Sequence, residues 1–261
     1  MVVIVPALGD NVLLWMRVQH ELAPEMRVVV YDRAGIGWSD PPPRRARTID
    51  EAAGDLRRLL DSAGIQPPYI LVGHSAGGVI ARRLAAQRPG AVAGMVLIDS
   101  SHEQQASRRG VHGWPYDRAA YLKRAAKRQL RILGARRAAA ALGLLRQLDA
   151  DIASEVPPEH ADAYRAILLS TRQRRVVIRE TLMMAALSEA PRSLGAIPLS
   201  VITAAANGLP GWREMQDELT ALSTRSTRIT AEGSGHYVHL DDPDLVVRAV
   251  RDLAHSAMID R

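Results

Sequence analysis

Tyr69-Ile70-Leu71-Val72-Gly73-His74-Ser75-Ala76-Gly77-Gly78 is the stretch that decides the fold of this chain. Its first four residues are an apolar run fit for a buried strand, and the residues from Gly78 to Gln87 have the character of a helix. Between them stands Gly-x-Ser-x-Gly, in the strand–turn–helix context where that motif carries chemistry. A serine at the apex of so tight a turn sits in a strained backbone conformation, so its neighbours must lack bulky side chains. The turn lifts the Ser75 hydroxyl above a sheet edge and sets it at a helix N-terminus, where backbone amides face developing negative charge. The bland alternative is a plain Gly-rich turn, and matches elsewhere in the chain weigh against it.

Outward from this turn, strand and helix patterns alternate. Val2-Val3-Ile4-Val5 is a continuous apolar, β-branched run suited to a buried parallel strand. Residues 14–22 read as a helix, and Met26-Arg27-Val28-Val29-Val30-Tyr31 as a second strand. Thr48 and Glu51 predict a capping box, with Ala52, Leu56, Leu59 and Leu60 on one face of the helix that follows. Ile80, Leu84 and Ala85 mark the helix after Ser75, and Met95-Val96-Leu97-Ile98 the next strand. Later strands are expected at 197–202 and 226–230, a helix at 212–222, and a last helix opening at Asp242-Pro243. This rhythm implies a mostly parallel sheet with right-handed crossovers and helices on both faces. From 101 to 195 the patterns are helical only, at 121–133, 138–148, 160–169 and 176–187. Residues 1–100 and 196–261 therefore read as an α/β core, and 101–195 as a helical cap or lid inserted into it.

Composition suits that reading. A length of 261 residues can hold one α/β core with an insertion, and 24% charged residues argue against disorder. The absence of cysteine excludes a disulfide framework, a thiolate metal site and a cysteine nucleophile. No apolar run approaches the length of a membrane span. The first residues, Met1 to Pro6, are too short and uncharged for a signal peptide. The chain is thus expected in the cytoplasm, its start open to truncation. The net charge of +6 is concentrated between 108 and 192, with Lys123, Lys127 and Arg131 among its members. Those basic residues lack the aromatic or glycine interleaving of a nucleic-acid surface, so no nucleic-acid partner is expected. They read as solvated faces of Arg-rich helices, with a weak contact to an anionic membrane surface as the remaining partner.

Four segments together resemble the serine-type enzymes of the α/β-hydrolase fold, and the likeness runs over nearly the whole chain. Gly73-His74-Ser75-Ala76-Gly77 matches the nucleophile elbow, and Asp32-Arg33-Ala34-Gly35-Ile36-Gly37-Trp38-Ser39 resembles the family's Asp-Arg-x-Gly-x-Gly-x-Ser loop. Leu97-Ile98-Asp99-Ser100 resembles the end of the strand after the elbow helix. Gly233-Ser234-Gly235-His236-Tyr237-Val238-His239 resembles the late histidine loop, followed by the acidic-Pro helix start at Asp242-Pro243.

The resemblance makes Ser75 the nucleophile and His236 the base that takes its proton. The acid is where the chain departs from its relatives. Most carry it after the strand corresponding to 199–202, where this chain reads Thr203-Ala204-Ala205-Ala206-Asn207-Gly208. Some carry it one strand earlier, which points to Asp99 and gives the order Ser, Asp, His; Asp217 is the next candidate and Glu103 the third. One oxyanion-hole amide is expected from Ala76. The other is Leu8, in Pro6-Ala7-Leu8-Gly9-Asp10, where relatives carry His-Gly. His74 reads as structural. His239 with Asp241 and Asp242 would be a short metal cluster, but Asp242 is better used as a helix cap, so no metal or other cofactor is expected.

A serine nucleophile forms an acyl-enzyme, so a small apolar ester or similar acyl compound is the natural substrate. It would bind between core and lid, with Trp38, Met183, Met184 and Tyr237 as candidate walls. The apolar stripe containing Met183 fits cap packing more readily than a pocket wall. Acyltransfer, perhydrolysis and C–C bond hydrolysis on the same residues stay open, as does a non-catalytic ligand-binding role.

Overall fold

Val2–Val5 (β1) is wholly buried, as a continuous β-branched run must be when both faces of its strand are covered. In the computed structural model, which describes residues 1–42, 47–108, 155–187, 191 and 193–259, it joins five further strands in one parallel sheet. These are β2 (Val28–Val30), β3 (Tyr69–His74), β4 (Val92–Ile98), β5 (Leu199–Ala204) and β6 (Ser226–Ala231). Their order across the sheet is β2-β1-β3-β4-β5-β6.

Side chains of successive strand residues alternate between the two faces and meet two helical layers. On one face, Val2, Ile4, Ile70, Val72, Val96 and Ile98 pack with Trp15 and Val18 and with Val246, Val250 and Leu253. These come from α1 (Met16–Leu22), the 3-10 turn before it, and the last helix, α9 (Pro243–Ile259). On the other face, Val3, Val5, Leu71, Met95 and Leu97 pack with Ala53, Leu56 and Leu60 of α2 (Ile49–Ser62). Val79, Ile80 and Leu84 of α3 (Ala76–Gln87) complete that layer. The Thr48–Glu51 capping box forms at the start of α2, each residue bonding the other's backbone amide.

The expected strand at 26–31 shrinks to Val28–Val30 at the sheet edge, where β1 is its single neighbour. The expected helix at 14–22 divides into a 3-10 turn, Val12–Trp15, and α1, because the Asn11 side chain caps Leu13 and the Asp32 carboxylate holds the Val12 amide. After β4 come α4 (Gln105–Arg108) and, further on, α5 (Ala161–Leu169) and α6 (Thr171–Ala185). α6 begins earlier than the apolar period suggests because the Ser170 hydroxyl caps it at Gln173. The remaining helices are α7 (Trp212–Thr220) and the short α8 (Val238–Asp241). The helices expected at 121–133 and 138–148, with Lys123, Lys127 and Arg131, lie outside the described residues. No helix among the described residues is long and apolar enough to cross a membrane.

Register fixes what meets at the sheet's C-terminal edge. Val5 pairs with Gly73, and His74 with Ile98, which pairs in turn with Ile202. The residues that follow these strands (Pro6, Ser75, Asp99 and Ala205 onward) therefore leave the sheet at one edge, where ligands of open α/β sheets bind.

Candidate active site

Ser75 closes β3 and opens α3 at φ 50° and ψ −120°, a conformation that L-residues rarely adopt. Three backbone hydrogen bonds hold it there. Its amide donates to Ile98 O (3.0 Å), and its carbonyl accepts from the amides of Gly78 (3.1 Å) and Ser101 (3.0 Å). The glycines supply room. A Cβ on Gly73 would come within 2.6 Å of Gly78 Cα, and one on Gly77 would overlap the Val5 carbonyl oxygen. The start of α3 consequently packs straight onto the end of β1, and the Ala76 amide lies in the first helical turn, where amides lack intrahelical acceptors. Ser75 Oγ lies 3.4 Å from Ser101 Oγ; among the described residues Ser101, not His236, is its hydrogen-bond partner.

Asp99 leaves the adjacent strand at φ 39° with no solvent exposure. A buried carboxylate needs donors around it, and Asp99 has four. They are Ala204 N (3.1 Å), Asn207 Nδ2 (2.7 Å), Trp212 Nε1 (2.7 Å) and His236 Nδ1 (2.6 Å). The loop after β5 that lacks an acid thus contributes Asn207, a donor to the acid of the neighbouring strand. With Nδ1–H given to Asp99, the Nε2 lone pair of His236 is left for another partner. Asp217 pairs instead with Arg228 of β6, and Glu103 with Arg82 Nη2 at 2.8 Å. Asp99 is therefore the one of the three candidate acids that reaches His236.

The loop after β1 is shaped by Arg33. Its guanidinium donates from Nη1 to Pro6 O and from Nη2 to Ala7 O, both at 2.6 Å. It also holds Glu180 of α6, through Nε at 2.6 Å and Nη2 at 2.9 Å. In a trans peptide the C=O and N–H point opposite ways. Turning the Ala7 carbonyl onto Arg33 accordingly turns the Leu8 N–H away from it. The next amide, Gly9 N, donates to Glu180 Oε2 (3.1 Å). Gly9 O accepts from Gln173 Nε2 (2.7 Å), whose Oε1 accepts from Gly37 N (3.1 Å). Burial works against the Arg33 charge, but the charge and hydrogen bonds of Glu180 outweigh it and raise the guanidinium above its ordinary range. One helix thereby grips both the loop after β1 and the Asp32–Ser39 loop.

Trp38 stands largely exposed, and Tyr237 lies against the rings of His74 and His236. Burial and, first, the Asp10 carboxylate push the Tyr237 hydroxyl's titration upward. Met183 and Met184, expected as pocket walls, pack in the apolar layer with α2 and α3, and Met183 also lines a cavity with Tyr31, Arg33, Pro42, Val176 and Glu180. His74 is fully buried and donates from Nε2 to His236 O (2.8 Å), so it ties the elbow to the histidine loop. The grouping of His239 with Asp241 and Asp242 does not form. Asp241 accepts from Gly235 N (2.8 Å), and Asp242 caps α9 at Leu245 N (3.0 Å). His239 turns inward instead and meets Asp10 and His74; their ligand-type atoms all lie within 4.8 Å of one another. Asp10, Gln173, Glu180, Asn207 and Trp212 were not legible as site residues. Each acts across more than 60 residues of sequence, where no local pattern reports it.

A family model described as alpha/beta hydrolase fold matches residues 1–243. An AB hydrolase superfamily protein of Gibberella zeae is 39% identical over 93 residues, 34% of this chain and 29% of that one. Lipase LipV of Mycobacterium tuberculosis is 41% identical over 95 residues, 36% of this chain and 35% of that one. The chain thus spans little more than a third of these curated relatives at most. A thermophilic esterase from Thermogutta terrifontis, seen with malate bound, shares the fold with a TM-score of 0.68 at 21% identity, over 98% of this chain and 89% of that one. With the family model covering nearly its whole length, and with the parallel sheet and the elbow turn both present, the chain belongs to the alpha/beta hydrolase fold family.

Proposed function

We propose that this protein is a hydrolase that cleaves carboxylic esters, or related acyl compounds, through Ser75, His236 and Asp99. The observation that carries the reading is the 2.6 Å contact between Asp99 Oδ2 and His236 Nδ1, on the strand beside a strained serine at a helix start. Asp99 holds the imidazole in the tautomer whose Nε2 can accept a proton. Ser75 Oγ turns from Ser101 to Nε2 as substrate binds; hydrogen bonds at such sites are often long before substrate arrives and tighten with it. Oγ then attacks the acyl carbon while Nε2 takes its proton. The oxygen that gains charge is met by the amides of Ala76 and Leu8. Nε2 returns the proton to the leaving alcohol, an acyl-Ser75 ester remains, and water repeats the sequence to release the acid.

The inserted helices α5 and α6 form one side of the substrate site in this reading, with Trp38 and Tyr237 at its margin. The lipase and the esterase among the similar proteins support the reaction class without specifying a substrate. A series of p-nitrophenyl esters of rising chain length, with a fluorophosphonate probe, tests it. Wild type should turn over some of the series and become labelled, and Ser75→Ala should lose both. Labelling that survives in Ser75→Ala, or a wild type inert to the probe and to every ester, rejects the proposal.

A further inference from the structure

We infer that Asp10, His74 and His239 bind one divalent transition-metal ion of the zinc class, in a buried site that links three segments of the chain and does not touch the reacting atoms. The three residues come from the loop after β1, the end of β3 and α8, and are 4%, 0% and 1% exposed. Among the described residues, four of their polar atoms have no hydrogen-bond partner: Asp10 Oδ2, His74 Nδ1 and both ring nitrogens of His239. Buried polar atoms are nearly always satisfied, and a group of four in one place calls for an occupant. Two imidazoles and a carboxylate form a donor set that suits zinc.

The protonation pattern fits a cation. His74 donates Nε2–H to the His236 carbonyl at 2.8 Å, which leaves the Nδ1 lone pair for the cluster. A histidine ligand usually gives its other ring N–H to such an outer acceptor, fixing ring and tautomer. The His74 ring stands 4.7 Å, centroid to centroid, from the ring of His239. Trp15 stacks on the flat of that ring at 3.9 Å and 3°, leaving its in-plane nitrogens accessible.

The spacing fits as well. His74 Nδ1 and Asp10 Oδ2 are 3.4 Å apart and outside hydrogen-bond geometry. Two ligands on a tetrahedral zinc with bonds of about 2.1 Å stand about 3.4 Å apart. The His239 donor lies within 4.8 Å of the other two, so it must draw closer to join them on one ion. Bound there, the ion would clasp the loop bearing Leu8, the elbow and the histidine loop, the last through both His239 and the carbonyl of His236.

The inference is independent of the ester-hydrolase reading, and its test reads metal rather than turnover. The full chain is produced with zinc supplied, its metal content is measured by plasma mass spectrometry, and its Tm is followed through chelation by dipicolinate and zinc return. The expected result is about one zinc per chain, a Tm that falls on chelation and recovers with zinc, and loss of both effects in Asp10→Asn and His239→Gln. Should the variants fail to fold, cobalt-substituted wild type replaces them, and it should show the strong visible bands of a low-coordinate ion. A metal-free wild type whose Tm ignores zinc, zinc retained at full stoichiometry by His239→Gln, or a cobalt form without those bands would overturn the site and leave the cluster to a buried water.

Discussion

Asp99 shows how much a single carboxylate asks of its surroundings. Its four donors come from β5, the loop after it, α7 and the histidine loop, so one side chain joins four segments. Asn207→Ala and Trp212→Phe each remove one donor. Each should cost about 1–3 kcal/mol in urea unfolding, the usual penalty for a buried group left short of a partner. Each should also lower kcat more than it changes KM, because His236 is held less well. Asp99→Asn should lower ester turnover by about 10⁴-fold by holding the wrong tautomer. An Asp99→Asn protein that works near the wild-type rate would show that the acid role lies elsewhere. Ser75 and His236 were legible because their neighbours mark them: an elbow and a Gly-rich loop are local patterns. Asp99 was legible as a strand end. Asn207 and Trp212 were not, since they approach Asp99 across 108 and 113 residues of sequence.

At the scale of elements, α6 is the piece whose meaning depends on the fold. Its apolar period announced a helix, but its polar face carries Gln173 and Glu180, which hold Gly9, Gly37 and Arg33. No spacing rule connects residue 180 with residue 33, so the network had to be found in space. Two substitutions separate the faces of this helix. On the apolar face, Met183 is 7% exposed, and Met183→Ala should cost about 2–5 kcal/mol as a core truncation. Its kcat on short esters should stay near wild type. On the polar face, Glu180→Gln leaves the buried Arg33 charge short of its partner, which should cost about 3–5 kcal/mol. It should also free the Ala7 peptide, so the Leu8 amide, the second oxyanion donor of the proposed mechanism, loses its aim. Loss of a whole oxyanion donor costs about 10²–10³ in kcat, and a misaimed one should cost somewhat less. KM should change little, and fluorophosphonate should still label Ser75. A Glu180→Gln protein with lowered Tm but unaltered kcat would reduce the pair to a structural tie.

At the scale of the molecule, the fold is a sheet between two apolar layers, and its assembly depends on how closely helices approach strands. The alternation of strand and helix made this architecture legible, because period and strand type are written locally. The crossing points were not, since they depend on which helix lies over which strand. Gly94 of β4 is the sharpest of them. A Cβ there would overlap Leu253 Cδ2 of α9 and lie 3.6 Å from Pro198 O. Leu253 is 4% exposed and packs within the apolar layer of α9. Gly94→Ala should therefore destabilise by about 1–3 kcal/mol through overpacking. Leu253→Ala should cost about 2–5 kcal/mol by leaving a cavity. The double variant should cost less than the sum, because each change relieves the other, with a coupling of about 1 kcal/mol or more. Gly94 lies toward the start of β4, whereas Asp99 follows its end, so turnover per folded molecule should be unchanged in all three proteins. Unfolding curves for the four members of this cycle decide the matter: strict additivity would mean that α9 is positioned by other contacts and that Gly94 is not where the layer locks.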